Sequence, residues 1–324
     1  MIRFNEIQEL VADEFNRLHL NDKPNELYEP INYILGMGGK RIRPVLTLMS
    51  CSLFTDNLQA CIRPAIGMEM FHNFTLIHDD IMDNANMRRN KPTVHSKWNN
   101  NVGILSGDAM CIKAYDYVMS CPDLVFKDVF RIFNRTALQV CDGQQYDMNF
   151  ETRNDVTIPE YLKMIELKTA VLLAACLQIG ALIGGSKSED AELLYHYGIN
   201  VGLAFQLQDD LLDVYADEKV FGKEIGKDIV SNKKTYLLLR AIEKADSNQN
   251  KSITQWLELK NFHPSEKVEA VKLIYDQLDI HSECKQMILT YFEKAESFLS
   301  KLKVDEAKKD ELRTFGNKIK ERIY

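Results

Sequence analysis

Residues 68–83 read MEMFHNFTLIHDDIMD and residues 201–213 read VGLAFQLQDDLLD, so two apolar stretches each end in the pattern Asp-Asp-x-x-Asp. Apolar residues recur at three- and four-residue spacing through both stretches, which predicts two helices. Residues four apart share a face of a helix, so Asp79 lies beside Asp83, and Asp209 lies beside Asp213. Like charges crowded in this way need a compensating cation.

Carboxylate ligands favour a hard cation such as Mg²⁺, which keeps part of its water and bridges phosphate groups. One such motif alone would be equally compatible with a solvated charge cluster. The same spacing on two apolar helices argues against that alternative. If the helices face one another, six carboxylates could hold several Mg²⁺ ions against a diphosphate: Asp79, Asp80, Asp83, Asp209, Asp210 and Asp213.

Helical spacing continues through most of the chain, and strand alternation bounded by turns is not found, so the sequence predicts an all-α protein. Pro30 and the polar stretch 84–101 mark expected boundaries between helices. Residues 157–160, Thr-Ile-Pro-Glu, have the spacing of a capping box and predict a helix start. Because no Gly/Ser linker or change of composition divides residues 1–324, we expect a single-domain helical bundle with a cavity between the helices that carry the two motifs.

Composition narrows the function classes. The net charge of −7 argues against a nucleic-acid partner, because binding to a phosphate backbone usually needs a basic surface. Seven cysteines lack any C-x-x-C pair, which indicates reduced core residues in a cytoplasmic protein. The most apolar run, residues 170–185, is shorter than the roughly 20 residues that a membrane span needs. It predicts a buried core helix and no integral membrane segment.

Basic residues follow a glycine-rich turn in GMGGKRIRP, residues 36–44, where Lys40, Arg41 and Arg43 precede an apolar helix. This pattern is a candidate anion cradle, with a solvated helix start as the alternative. Arg88 and Arg89 follow the first motif and, being adjacent, should point apart, so that each guanidinium could serve a different anion.

The second motif is also followed by cations, among them Lys223 and Lys233. Lys168, in ELKTAVLLAA, is a single charge at the mouth of an apolar helix, and it should reach toward solvent unless a phosphate lies there. Carboxylates that hold metal, and cations that hold the remaining phosphate oxygens, together predict a diphosphate site.

The order GGKRIRP, HDDIMD with RR, KTA, FQLQDDLLD, GK and NKKTY resembles the trans-isoprenyl diphosphate synthases, or polyprenyl synthetases, over residues 36–240. The resemblance implies the isoprenoid synthase type of helical bundle, a homodimer, and Mg²⁺-dependent head-to-tail condensation of isopentenyl diphosphate with an allylic diphosphate (dimethylallyl, geranyl or farnesyl). It implies that the six aspartates bind Mg²⁺ bridged to the allylic diphosphate.

Further roles are implied by the same resemblance. Direct contacts to the allylic diphosphate are implied for Arg88, Lys168, Lys223 and Lys233. A separate, metal-free site for isopentenyl diphosphate is implied for Lys40, Arg43, His72 and Arg89. Thr169 and Gln206 resemble the polar groups that the family places near the developing carbocation.

Product length in this family depends on residues just ahead of the first motif. Phe74 stands five residues before Asp79, Thr75 four before and Phe71 eight before, a pattern that resembles geranylgeranyl-type (C20) enzymes. Phe71 could shorten the tunnel further, so farnesyl (C15) stays open. A helical period places Phe74 about 140° around from Asp79, so spacing alone does not show that it faces the tunnel.

Three other classes resemble the chain less. A terpene cyclase usually carries an Asn/Asp, Ser/Thr, Glu pattern as its second metal motif, where this chain has QDDLLD. A metal phosphohydrolase of the His-Asp type would need further spaced histidines besides His72 and His78. A non-catalytic prenyltransferase-like subunit usually lacks one aspartate motif, whereas both are intact here.

Overall fold

A computed structural model describes residues 2–216 and 225–320. Within these residues the strands are limited to one hairpin, β1 (Met87–Arg88) and β2 (Lys91–Pro92). The longer helices are α1 (Phe4–Arg17), α2 (Asn25–Leu35), α3 (Ile42–Ser52), α4 (Gln59–Met82), α6 (Asn100–Val118), α7 (Phe126–Thr152), α8 (Ile158–Ile165), α9 (Val171–Ile183), α10 (Ser188–Tyr215), α12 (Tyr236–Lys244), α13 (Ser247–Glu258), α14 (Pro264–Gln277), α15 (Ile280–Leu299) and α16 (Glu306–Lys320). Two helices are single turns, α5 (Val94–Lys97) and α11 (Lys227–Val230). The predicted all-α class is confirmed.

The chain forms two compact units. The first contains Met1–Arg135, Ala175–Tyr195 and Leu302–Leu312, and the second contains Thr136–Ala174, His196–Lys301 and Arg313–Tyr324. The first aspartate motif lies in the first unit, and the second motif lies in the second unit. The single-domain organisation expected from the sequence stays a prediction.

In the first unit α4 is apolar on most of its circumference, and a helix of that kind is stable when it is surrounded by other elements. Met68, Met70 and Phe71 are accordingly buried, and α4 packs against α3 and α6. Pro30 lies inside α2 and not at a boundary, so that prediction is wrong. Pro30 and its neighbour Ile31 are both buried, and this packing compensates for the hydrogen bond that a proline cannot donate.

In the second unit α8 begins with the predicted capping box. The Glu160 carboxylate accepts from the Thr157 backbone N–H at 2.9 Å, and the Thr157 hydroxyl accepts from the Glu160 N–H at 3.4 Å. A π-helical turn, Glu166–Ala170, joins α8 to α9. The stretch Ile158–Ile183 is the one helix among the described residues that is long and apolar enough to cross a membrane, but 83% of its most apolar window is buried. The prediction of a buried core helix is confirmed.

All seven cysteines are reduced thiols, as predicted. Their predicted place in the core holds for five of them, whereas Cys111 is half-buried and Cys141 is exposed. The five buried cysteines are Cys51, Cys61, Cys121, Cys176 and Cys284.

Candidate active site

The first aspartate motif forms the end of α4. Asp80 is 2% exposed, and its carboxylate oxygens each accept from Arg88 Nε at 2.9 Å, with Arg88 Nη2 at 2.8 Å. Asp79 and Asp83 lie one turn apart, joined by the Asp83 N–H to the Asp79 carbonyl at 2.8 Å, and Asp83 is exposed. Asp80 therefore orients Arg88 by accepting hydrogen bonds from one edge of its guanidinium. Asp79 and Asp83 lie at the accessible end of the helix.

Arg88 and Arg89 sit on a tight hairpin that the sequence did not predict. Arg89 and Asn90 form its loop with φ of 51° and 59°, the left-handed values of a type I′ turn, which arginine adopts infrequently. The Arg89 guanidinium donates to the Gly38 carbonyl and lies against Gly39, where a Cβ atom would come within 2.7 Å of it. The predicted divergence of Arg88 and Arg89 is confirmed, and Gly39 is small enough to admit the second guanidinium.

Arg41 was grouped with Lys40 and Arg43 in the predicted anion cradle, but its side chain serves the interior. With a φ of 46°, it places Nη1 3.0 Å from the buried Glu69 carboxylate, and Nη2 donates to the Leu35 carbonyl. Its guanidinium also lies 4.2 Å from the centre of the Phe15 ring. Arg41 is therefore a structural cation, whereas Lys40 is exposed and Arg43 is half-buried.

His72 lies among positive charges. Burial lowers its pKa well below the usual value, and the guanidinium groups of Arg43, Arg89, Arg88 and Arg41 lower it further. The imidazole is therefore neutral at physiological pH and faces a region of strong positive potential.

The Nε atom of Arg43 is buried and has no hydrogen-bond partner within the described part of the chain. Burial lowers the pKa of Arg43, and the Glu69 carboxylate opposes that shift. The structure thus brings together three of the four residues predicted for the metal-free diphosphate site, namely His72, Arg43 and Arg89. Their charge and donors suit an anion.

The residues predicted to set product length belong to an aromatic cluster, which we define as Phe71, Phe74, His78, Tyr115 and Phe133. Between ring centroids, Phe74 lies 5.4 Å from Phe71 and 4.9 Å from His78. The Phe133 centroid lies 5.3 Å from that of Phe71 and 4.7 Å from that of Tyr115. The Thr75 hydroxyl donates to the His72 carbonyl at 2.8 Å. The sequence indicated Phe71, Phe74 and Thr75, but not the partners from α6 and α7.

In the second unit a chain of hydrogen bonds joins four side chains. The Tyr161 hydroxyl donates to Asp210 Oδ2, and Gln206 Nε2 donates to Asp210 Oδ1 at 3.1 Å. The Thr169 hydroxyl donates to Gln206 Oε1 at 3.1 Å. Thr169 and Gln206 are thus brought together with the second motif as expected, whereas Tyr161 was not identified from the sequence.

Negative charge is crowded around the second motif. Burial and the nearby Asp228 carboxylate raise the pKa of Asp210 to about 7, and the same two causes raise the pKa of Asp213. The Asp213 carboxylate also accepts from the backbone N–H of Asp228 at 3.0 Å. The Lys233 ammonium opposes these shifts only in part, and a divalent cation would stabilise the three carboxylates further.

Two of the lysines predicted to bind phosphate already contact carboxylates. Lys168 Nζ lies 2.6 Å from Asp147 of α7, and Lys233 Nζ lies 3.9 Å from Asp228. Lys168 belongs to the π turn. Helix α7 approaches this turn so closely that a Cβ atom on Gly143 would lie 2.3 Å from the backbone nitrogen of Lys168. Lys223 lies outside the described residues. The sequence pattern does not indicate Asp147 or Asp228.

No group of three His, Cys, Asp or Glu side chains forms a preformed metal site anywhere in residues 2–216 or 225–320. The donor set nevertheless fits Mg²⁺, because this ion is usually bound through one or two carboxylates and completes its shell with water and substrate phosphates. Asp79 with Asp83, and Asp209 with Asp213, are the pairs that could serve it.

Comparisons with known proteins agree with this chemistry. Residues 24–277 match the family model of the polyprenyl synthetases. The chain is 43% identical over 225 residues to the geranylgeranyl diphosphate synthase of Methanosarcina mazei, covering 68% of this chain and 69% of that protein. It is 39% identical over 259 residues to the short chain isoprenyl diphosphate synthase of Methanocaldococcus jannaschii, covering 80% and 79%. A crystal structure of a geranylgeranyl pyrophosphate synthase superposes with a TM-score of 0.95 at 43% identity, covering 99% of both chains.

Proposed function

The chain belongs to the polyprenyl synthetase family, and from that premise we propose that it condenses isopentenyl diphosphate head-to-tail with allylic diphosphates to give geranylgeranyl diphosphate. The observation that carries this proposal is the neighbourhood of the first motif. There, a carboxylate helix end and a group of guanidiniums around a neutral imidazole lie in one unit. Carboxylates and cations in such proximity suit one diphosphate bound through metal and another bound directly.

We propose that both aspartate motifs serve the allylic diphosphate. Mg²⁺ would stabilise the departing diphosphate as a Lewis acid. Arg88, Lys168, Lys223 and Lys233 would neutralise the remaining oxygens. The pair with Asp80 occupies Nε and Nη2 of Arg88, and it would hold this guanidinium in a fixed direction.

Isopentenyl diphosphate would bind to Lys40, Arg43, His72 and Arg89. When the allylic C1–O bond breaks, the electron pair leaves with diphosphate, and the isopentenyl double bond attacks C1. A proton then leaves C2, with the released diphosphate as its acceptor. The Thr169 hydroxyl and the Gln206 amide would direct their dipoles at the developing cation, and positioning would supply much of the remaining rate.

A C20 product is supported by the names of the relatives at 37–43% identity, of which several are geranylgeranyl diphosphate synthases. The packing of the Phe74 ring between Phe71 and His78 supports an aromatic stop for the growing chain. The C15 alternative rests on Phe71, which is 1% exposed within the same cluster.

The function is tested by incubating the purified protein with Mg²⁺, labelled isopentenyl diphosphate and each allylic primer in turn, then separating the products by length. We expect diphosphate release that requires both substrates and stops when the metal is chelated, with C20 as the main product. Release of diphosphate from an allylic substrate alone would instead indicate a cyclase. A C15 product would leave the reaction class intact and overturn the C20 assignment.

Phe74→Ala should lengthen the product beyond C20. The substitution removes the ring that packs on Phe71 and His78 and opens space at the proposed end of the tunnel. The measurement is the product distribution under saturating isopentenyl diphosphate, with Leu273→Ala, which truncates an exposed apolar residue on α14, as the control. An unchanged C20 product from a folded Phe74→Ala enzyme would rule out Phe74 as the stop.

We further propose a cytoplasmic homodimer. Support for the dimer comes from exposed apolar side chains on α6 and the start of α7, where Leu105 is 60% exposed, Ile112 71% and Phe130 45%. Apolar faces of this kind mark interaction surfaces. Light scattering should give twice the 37.4 kDa chain mass, and Leu105→Glu with Ile112→Glu should give the monomer. Leu273→Glu, on the exposed face of α14, is the control that should remain dimeric. A monomeric wild-type protein would contradict the proposal.

A further inference from the structure

Tyr161 of α8 is 1% exposed, and its hydroxyl donates to Oδ2 of Asp210, which is itself 3% exposed. The other oxygen, Oδ1, accepts from Gln206 Nε2 at 3.1 Å. Both oxygens of a buried carboxylate are thus held by protein donors. A buried carboxylate left without such donors would be costly, so the geometry of Asp210 depends on Tyr161 as much as on Gln206.

The Gln206 amide is oriented through this carboxylate. An amide nitrogen donates and an amide oxygen accepts; here the Gln206 nitrogen donates to Asp210 Oδ1, which leaves Oε1 to accept from the Thr169 hydroxyl at 3.1 Å. Gln206 and Asp210 are four residues apart on α10 and stack along one face. The Tyr161 hydroxyl is therefore linked through the Asp210 carboxylate to the Gln206 amide.

The π turn allows both ends of this hydrogen-bond chain, Tyr161 and Thr169, to contact side chains of α10. Tyr161 and Thr169 are eight residues apart, and on a regular α-helix they would be about 80° apart around the axis. The π-helical turn Glu166–Ala170 winds fewer degrees per residue, which brings the two side chains to nearly the same side. Such turns are frequent at functional sites, and here the turn lets Tyr161 and Thr169 contact Asp210 and Gln206 at once.

We propose that Tyr161 is a positioning residue for the condensation. It holds Asp210 so that Gln206 and Thr169 present fixed dipoles to the reacting allylic group. This inference rests on the proposed function, because the reacting group is the one assigned there. Tyr161 does not touch substrate, and it acts through the Asp210 carboxylate, as outer partners of catalytic groups commonly do.

Tyr161→Phe tests the proposal, because it removes one oxygen atom and keeps the buried ring. We expect kcat for condensation to fall about 10- to 100-fold, the usual effect of losing an outer hydrogen-bond partner, while the KM for isopentenyl diphosphate changes less than about twofold. Tyr197→Phe also removes a buried hydroxyl from the second unit and should leave kcat unchanged. Thermal unfolding of both variants without metal reports whether the fold is kept.

A double-mutant cycle with Thr169→Val separates positioning from general loosening. If the four side chains act as one chain, Tyr161→Phe should cost much less in the Thr169→Val background than in the wild type. Wild-type kcat in a folded Tyr161→Phe enzyme would overturn the proposal, as would equal losses of kcat in both backgrounds. A wild-type protein that condenses no isopentenyl diphosphate would instead refute the proposed function itself.

Discussion

Asp79→Asn is expected to lower kcat for condensation about 1000-fold, with the fold retained. Asp79 and Asp83 stand together at the accessible end of α4, whereas Asp80 is committed to Arg88. Asparagine keeps the size of the side chain but removes the charge that draws a divalent cation to the site. A metal ion contributes several kcal/mol to a departing diphosphate, and about 4 kcal/mol corresponds to this loss of rate. The measurement is kcat as a function of Mg²⁺ concentration.

Asp116→Asn is the matched control, since Asp116 is 60% exposed and forms a surface ion pair with Arg63 at 2.9 Å. Surface pairs contribute about 0–1 kcal/mol, so this enzyme should retain wild-type kcat. Asp79→Asn activity above a tenth of the wild-type rate at saturating Mg²⁺ would contradict a metal-binding role for Asp79.

Features that depend on nearby residues were predictable from the sequence. Helical periodicity gave α4 and α10, because apolar spacing is set within a few turns. The capping box at residues 157–160 depends on two side chains only three positions apart, and its prediction is confirmed. The divergence of Arg88 and Arg89 also follows from adjacency alone.

Features that depend on distant partners were not predictable. Nothing in GMGGKRIRP separates Arg41 from Lys40 and Arg43, because the residue that draws Arg41 inward, Glu69, lies on another helix. The π turn in ELKTA has the composition of an ordinary helix, and its form becomes visible only through its packing against Gly143.

The candidate site shows the same division. Each aspartate motif is a short continuous stretch and was recognised, but the residues that orient the site lie elsewhere in the chain. Tyr161 stands 49 residues from Asp210, and Asp147 stands 21 residues from Lys168. A carboxylate or phenol in an amphipathic helix has no local mark of such a role, so the groups that orient the site required the structure.

Glu69→Leu should lower the free energy of unfolding by about 3–5 kcal/mol, the usual cost of removing one partner from a buried ion pair. Glu69 is 2% exposed and Arg41 is 10% exposed by side chain, with 3.0 Å between them, so the substitution leaves a buried guanidinium without its carboxylate. Glu69 also attracts Arg43 and Arg89, so its removal leaves the repulsion between these two arginines without a compensating carboxylate. Urea unfolding followed by circular dichroism measures the change.

Two further variants show whether charge compensation is the cause. Glu243→Gln removes a carboxylate that is 47% exposed and lies 3.0 Å from Arg240, and should cost no more than about 1 kcal/mol. Glu69→Leu combined with Arg41→Met replaces both charges with apolar groups and should recover much of the lost stability, because no unpaired ion remains. A double variant as unstable as Glu69→Leu alone would show that the loss of stability comes from packing. The charge of Glu69 would then not be what stabilises the arginines around His72.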